Sequence, residues 1–175
     1  VIAALGLYPG LYPSAGSTVP ITMQSAGVML AGGILGWRRG FLSVLLFLAL
    51  VALGAPLLAG GRGGLGVFEG PSAGFLIGFP FGAAVVGLLS PPGGRWATSW
   101  WRIGLAMVIG GIVVVYAFGI PGMAWKTGLS LWQATKAAWV FVPGDLLKVV
   151  IATFVTAHVR SSGLLDGRGA AGTRT

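Results

Sequence analysis

The chain has 175 residues, 55% of them hydrophobic and 8% charged, and its 11 Lys and Arg against 3 Asp and Glu give a net charge of +8. A soluble domain carries about 25% charged residues, so a soluble enzyme, a nucleic-acid-binding module and a disordered chain are excluded as first readings. The composition is that of an all-α integral membrane protein, in which an excess of Lys and Arg marks cytoplasmic loops and not a nucleic-acid partner.

A spanning helix needs about 20 mostly apolar residues, and runs of that kind divide the chain. Val1–Leu7 reads as the end of a first helix whose start is missing. Thr22–Leu35 is apolar but short. Phe41–Ala59 is a full span. Pro71–Leu89 is another, with Pro80 expected to kink it. Ile103–Gly119 is the next, and Ala137–Val159 is the last, interrupted near its start by Pro143-Gly144. Between them Tyr8–Val19, Gly36–Gly40, Gly60–Gly70, Ser90–Arg95 and Ile120–Lys136 read as turns. The result is a six-helix transmembrane bundle over residues 1–160, with a truncated first helix and a disordered cytoplasmic tail over 161–175. With both termini inside, Arg38, Arg39, Arg95, Arg102, Arg160, Arg168 and Arg174 are cytoplasmic, and Arg62, Lys126 and Lys136 lie outside.

With no Cys and one His, the chain has no thiol nucleophile and no set of imidazoles for a metal. Neither a P-loop nor an H-E-x-x-H occurs, and the single His158 falls at the opposite end of the last span from Asp145. No catalytic or metal site is expected. Gly61, Gly63 and Gly66 form a G-x-G-x-x-G without the strand and helix that a dinucleotide site needs.

The chemistry concentrates in Val142-Pro-Gly-Asp-Leu-Leu-Lys148. Asp145 and Lys148 share a helix face in an apolar span, where a charge costs about 2.5–3.5 kcal/mol and is usually functional. The alternative is a self-neutralising pair that pins the last helix. Arg62, with Gly63 and Gly64, lies in a close-packing loop that either closes over a ligand or is a solvated turn. Thr22 and Gln24 open the second span as polar contacts, Thr22 otherwise as a helix N-cap. Glu69 is a partner for Arg62. Trp139, one turn above Pro143, lines the same site or anchors in lipid, as Trp96, Trp100, Trp101, Trp125 and Trp132 do. These features converge on the outer end of the bundle, in a pocket for one small organic molecule.

The segments Val19-Pro-Ile-Thr22 with Gln24, Leu30-Ala-Gly-Gly33 through Arg39-Gly40, Ala59-Gly-Gly-Arg-Gly-Gly-Leu-Gly66, Gly70-Pro-Ser-Ala-Gly-Phe-Leu76 and Pro143-Gly-Asp-Leu-Leu-Lys148 occur in an order that resembles the BioY family. Its members are biotin-capturing S components of energy-coupling-factor (ECF) vitamin transporters. The resemblance implies a bacterial cell (inner) membrane, biotin as transported ligand with no resident cofactor, and a transmembrane T component with two ATPase subunits as partners. It implies that Asp145 and Lys148 contact biotin, Asp145 at the ureido N–H groups and Lys148 at the ureido oxygen or the valerate carboxylate. It also implies that the Gly60–Gly66 loop closes over the site with Arg62 near the carboxylate. Phe75 stands where many relatives carry Tyr, so a hydroxyl is lost there. The competing readings are an S component for a different vitamin, a membrane scaffold with a structural Asp145–Lys148 pair, and an intramembrane enzyme that lacks its catalytic set.

Overall fold

The computed structural model describes residues 23–93 and 97–162. Its helices are α1 (Gln24–Ala52), α2 (Ala73–Leu89), α3 (Trp100–Thr127), α4 (Leu131–Trp139) and α5 (Val142–Ser161), with a 3₁₀ turn at Leu65–Phe68. The described residues therefore hold five helices and no strand. α3 and α5 are long and apolar enough to cross a membrane, α1 is so only in its total length, and α2 is a shorter apolar helix.

Gly36 governs α1. Its φ of 77° and ψ of −179° break the helix, a conformation only glycine adopts cheaply. A Cβ on Gly40 would lie 3.0 Å from the Cα of Gly32. Residues eight apart on a straight helix are separated by about 12 Å, so the two arms of α1 fold back on each other. The expected turn over Gly36–Gly40 is thus a reversal at one residue. It separates a short first arm, matching the short run expected from residue 22, from the second arm that begins the span expected at Phe41.

Other boundaries differ. The helix expected to reach Ala59 ends at Ala52, because Leu53–Leu57 leave the helix to feed the Leu58–Arg62 turn. The loop expected over Ile120–Lys136 is mostly helix: α3 runs on through Pro121 to Thr127, and α4 starts at a capping box made by Ser130 and Gln133. Apolar neighbours at membrane depth make continued helix the cheapest way to satisfy the backbone, which overrode the Pro and Gly signals. α2 carries Pro80 inside the helix. The run expected from Ala137 is indeed interrupted near Pro143: α4 ends at Trp139, and Pro143 occupies the first turn of α5, where its missing N–H costs nothing. Val1–Leu7, Thr22 and the tail beyond Ser162 lie outside the described residues.

α2 packs against both α1 and α3, and α5 packs against α1 and α3. One core joins Val44, Phe47, Leu76 and Phe79, and another joins Met29, Val86, Ile103, Met107 and Val149. The outer surface is apolar, with Leu42, Leu46, Leu147 and Phe154 all exposed, as lipid contact requires. Exposed Trp125 and Trp132 near helix ends carry Lys126 and Lys136 over their rings, each 5.0 Å from the centroid. Small residues let the backbones touch: a Cβ on Gly87 would meet the backbone N of Trp37 at 2.3 Å. Gly87→Ala is therefore expected to destabilise the fold by about 1–3 kcal/mol through overpacking. The check is a lower thermal unfolding midpoint in detergent.

Arg160 ties the other end of the bundle together. Its guanidinium donates to the carbonyls of Gly33, Ser90 and Ala97 and to Ser90 Oγ, so it satisfies chain ends from α1 and α2 that would otherwise be bare. Asp145 lies 15 residues earlier on α5, about 22 Å away along the axis.

Candidate functional site

Asp145 lies in the first turn of α5, where the helix dipole favours an anion. The side chain is only 6% exposed, and Lys148 is 5% exposed. Lys148 Nζ lies 2.8 Å from Asp145 Oδ1, the i,i+3 geometry expected from the spacing. It is the one salt bridge among the described residues. Two further groups complete it. Ser25 Oγ donates to Asp145 Oδ1 at 3.2 Å and accepts from Lys148 Nζ at 3.2 Å. Tyr116 donates its hydroxyl to Asp145 Oδ2 at 2.6 Å. Three helices, α1, α3 and α5, thus meet on one carboxylate.

Beside this cluster is a cavity of about 80 Å³. Its polar wall is Gln24, Ser25, Arg62, Ser72, Tyr116, Asp145 and Lys148, and its apolar wall includes Leu58, Phe75, Leu76, Phe79, Val115 and Phe141. An apolar hollow with a few convergent polar groups is the usual form of a small-molecule site. A larger hollow of about 370 Å³ between the arms of α1 is lined by apolar residues apart from Ser43 and offers no charge to orient a polar ligand.

The loop before the 3₁₀ turn is built to bring Arg62 here. Leu58 and Arg62 exchange backbone hydrogen bonds of 3.0 and 3.3 Å, and Gly60 and Gly61 between them both take left-handed φ, 76° and 70°. Arg62 Nε donates to the Ala59 carbonyl at 3.1 Å. Gln24 anchors the same loop from α1, donating to the Leu57 carbonyl at 3.2 Å and accepting from the Ala59 N–H at 3.4 Å.

Of the residues singled out in the sequence, Asp145, Lys148, Arg62, Gln24 and Phe75 line the cavity. Gly63 and Gly64 do not; Gly63 is pressed against the Ala55 backbone, and Gly64 N–H bonds the Val51 carbonyl at 2.7 Å. They shape the loop behind Arg62. Trp139 is 70% exposed and stands outside the cavity, whose aromatic lining from that stretch is Phe141. Glu69 and Arg62 form no ion pair. The G-x-G-x-x-G overlaps an isolated bridge, Leu58 to Arg62, and a single 3₁₀ turn, Leu65–Phe68, and has neither the strand nor the helix of a nucleotide-binding unit. Thr22 lies outside the described residues.

Sequence reasoning missed Ser25 and Tyr116. Ser25 adjoins Gln24 and carried no separate signal. Tyr116 did: a phenol inside the apolar run Ile112–Phe118 must find a partner at depth. Its ring meets Phe75 edge-on, with centroids 5.7 Å apart. The hydroxyl expected to be lost at Phe75 is thus present in the same corner of the site, borne by a different helix.

A model of the BioY family matches residues 1–163. This chain belongs to the BioY family. It is 48% identical over 163 residues to the biotin transporter BioY of Rhizobium etli, covering 89% of this chain and 84% of that protein. It is also 48% identical to the biotin transporter BioY of Rhodobacter capsulatus, covering 94% and 92%. Among solved structures it is similar to the S-component for biotin from an ECF-type ABC transporter, with a TM-score of 0.84 and 32% identity over 91% of this chain and 85% of that one. The family match and the structural likeness both extend over most of the chain.

Proposed function

We propose that this chain captures biotin and takes it up across the membrane, as the substrate-binding subunit of an ECF-type transporter with a T component and two ATPase subunits. The observation that carries the reading is a buried ion pair with vacant space beside it, in a chain whose relatives are named biotin transporters. A purely structural pair would be sealed by its neighbours. Asp145 supplies an acceptor for a ureido N–H and Lys148 a donor for the ureido oxygen. Arg62, half-buried in the cavity wall, supplies the cation for the carboxylate at the far end of the molecule. Biotin is cargo here, and no step of this reading changes a covalent bond.

Arg38, Arg39, Arg102 and Arg160 belong to the end opposite the cavity, whereas Arg62, Lys126 and Lys136 belong to the cavity end. The positive-inside rule then turns the cavity outward in a bacterial cell membrane, with both termini and the tail from residue 161 inside. Isothermal titration of the detergent-purified chain tests the function: biotin binds, and thiamine and riboflavin do not. Arg62→Ala is expected to weaken biotin at least about tenfold, in line with loss of a charge-assisted hydrogen bond, and to leave biotin amide unaffected. Binding of another vitamin in place of biotin would overturn the reading.

A further inference from the structure

Asp145 and Lys148 can satisfy only one side of a cyclic urea. Each ring N–H of such a group lies next to the carbonyl, one on its left and one on its right, and the two diverge. The acceptor and donor that α5 presents 2.8 Å apart match one N–H and the carbonyl oxygen beside it. The second N–H points away from that edge and needs another acceptor, since a donor buried without one costs about 1–3 kcal/mol.

The cavity wall contains an oxygen suited to this. Tyr116 commits its only proton to Asp145 Oδ2 at 2.6 Å, and among the described residues its oxygen accepts no hydrogen bond. A phenol keeps acceptor capacity after donating, and donation to a carboxylate strengthens it. Two other oxygens of the wall are already engaged. Ser25 Oγ already accepts from Lys148 while donating to Asp145, and Gln24 Oε1 accepts from Ala59 N–H.

The position of Tyr116 is also fixed. Its ring is held by the edge of Phe75, and Phe75 fits because Gly119 has no Cβ; one there would lie 2.3 Å from the ring. A π-helical stretch, Ile109–Val114, ends two residues before it. Such a stretch carries one extra residue and turns the remainder of the helix by about 100°. Gly110 and Gly111 let that widened turn approach Val86 and Met29.

We propose that Tyr116 is a specificity-determining residue whose phenolic oxygen accepts the second urea N–H, so that the site requires hydrogen on both ring nitrogens. This rests on the biotin reading above. The test is titration of the unsubstituted chain and of Tyr116→Phe with biotin and with its two mono-N-methyl analogues, each blocked at one ring nitrogen. In the unsubstituted chain both analogues are expected to bind about tenfold or more weakly than biotin. Tyr116→Phe is expected to lose about tenfold more for biotin than for the analogue that already lacks the hydrogen facing position 116. Equal losses for biotin and both analogues would mean that Tyr116 acts only by holding Asp145, and would overturn the proposal, as would an unchanged affinity for biotin. Where Tyr116→Phe fails to fold, the unsubstituted chain decides alone: an N-methyl analogue that binds as well as biotin overturns the proposal. Failure of the unsubstituted chain to bind biotin at all would instead sink the functional reading on which it rests.

Discussion

Asp145→Asn is expected to weaken biotin binding at least tenfold, a loss of about 1.4 kcal/mol or more. The side chain keeps its size, but the new amide nitrogen is a donor facing donors. Tyr116 O–H and the Lys148 ammonium point at the two carboxylate oxygens, and one of them must lose its acceptor. Whichever way the amide turns, the ligand meets a site with half its acceptor capacity and an uncompensated lysine. The substitution also lowers stability, because a buried charge is left unpaired. Affinity must therefore be measured by calorimetry on protein that elutes as a single species and is held well below its own unfolding midpoint. An unchanged affinity under those conditions would remove Asp145 from the ligand site.

Much of this arrangement is legible in the sequence because a membrane makes charge expensive. With so few ionisable side chains, Asp145 and Lys148 three residues apart in an apolar run leave little choice about which face they share. The glycine-rich run Gly60–Gly66 reads as a loop, and Gly60 and Gly61 there both take left-handed φ. Helix ends were less legible. Pro121 and Gly122 break helices in water, yet α3 runs through them, since unpaired backbone costs more at depth than the strain. Gly36 is one of five residues in an expected turn, whereas its backbone conformation alone reverses α1. What the sequence could not yield was long-range pairing. Ser25 lies 120 residues from Asp145 and Tyr116 29 residues away, and no local periodicity links an α1 serine or an α3 phenol to an α5 carboxylate. The same holds for Arg160, read as one cytoplasmic cation among seven, which instead closes the far end of the bundle by binding three carbonyls.

Removing one charge of the pair and removing both should give different results for stability and the same result for binding. Lys148→Met leaves Asp145 almost fully buried, with two hydroxyl donors but no counter-charge. Breaking a buried pair in this way costs about 3–5 kcal/mol, so the thermal midpoint of the purified protein is expected to fall sharply. Asp145→Leu combined with Lys148→Met removes both charges, and replacement of a buried ion pair by apolar groups is often neutral or stabilising by about 1–4 kcal/mol. Against this, the hydroxyls of Tyr116 and Ser25 lose their acceptor, at about 1–3 kcal/mol for each that finds no substitute. The double variant is therefore expected to unfold well above the single one, near the unsubstituted chain, and to bind no biotin. If the pair existed only to pin α5, the double variant would have lost nothing but a costly contact, and any biotin affinity would survive it. A double variant that is as unstable as Lys148→Met would show that the electrostatics hold α5 to α1 and α3. One that keeps its biotin affinity would place the ligand elsewhere. Only the combination of recovered stability with abolished binding matches a pair kept in the bilayer for its cargo, with folding bearing the cost of two charges that biotin alone makes useful.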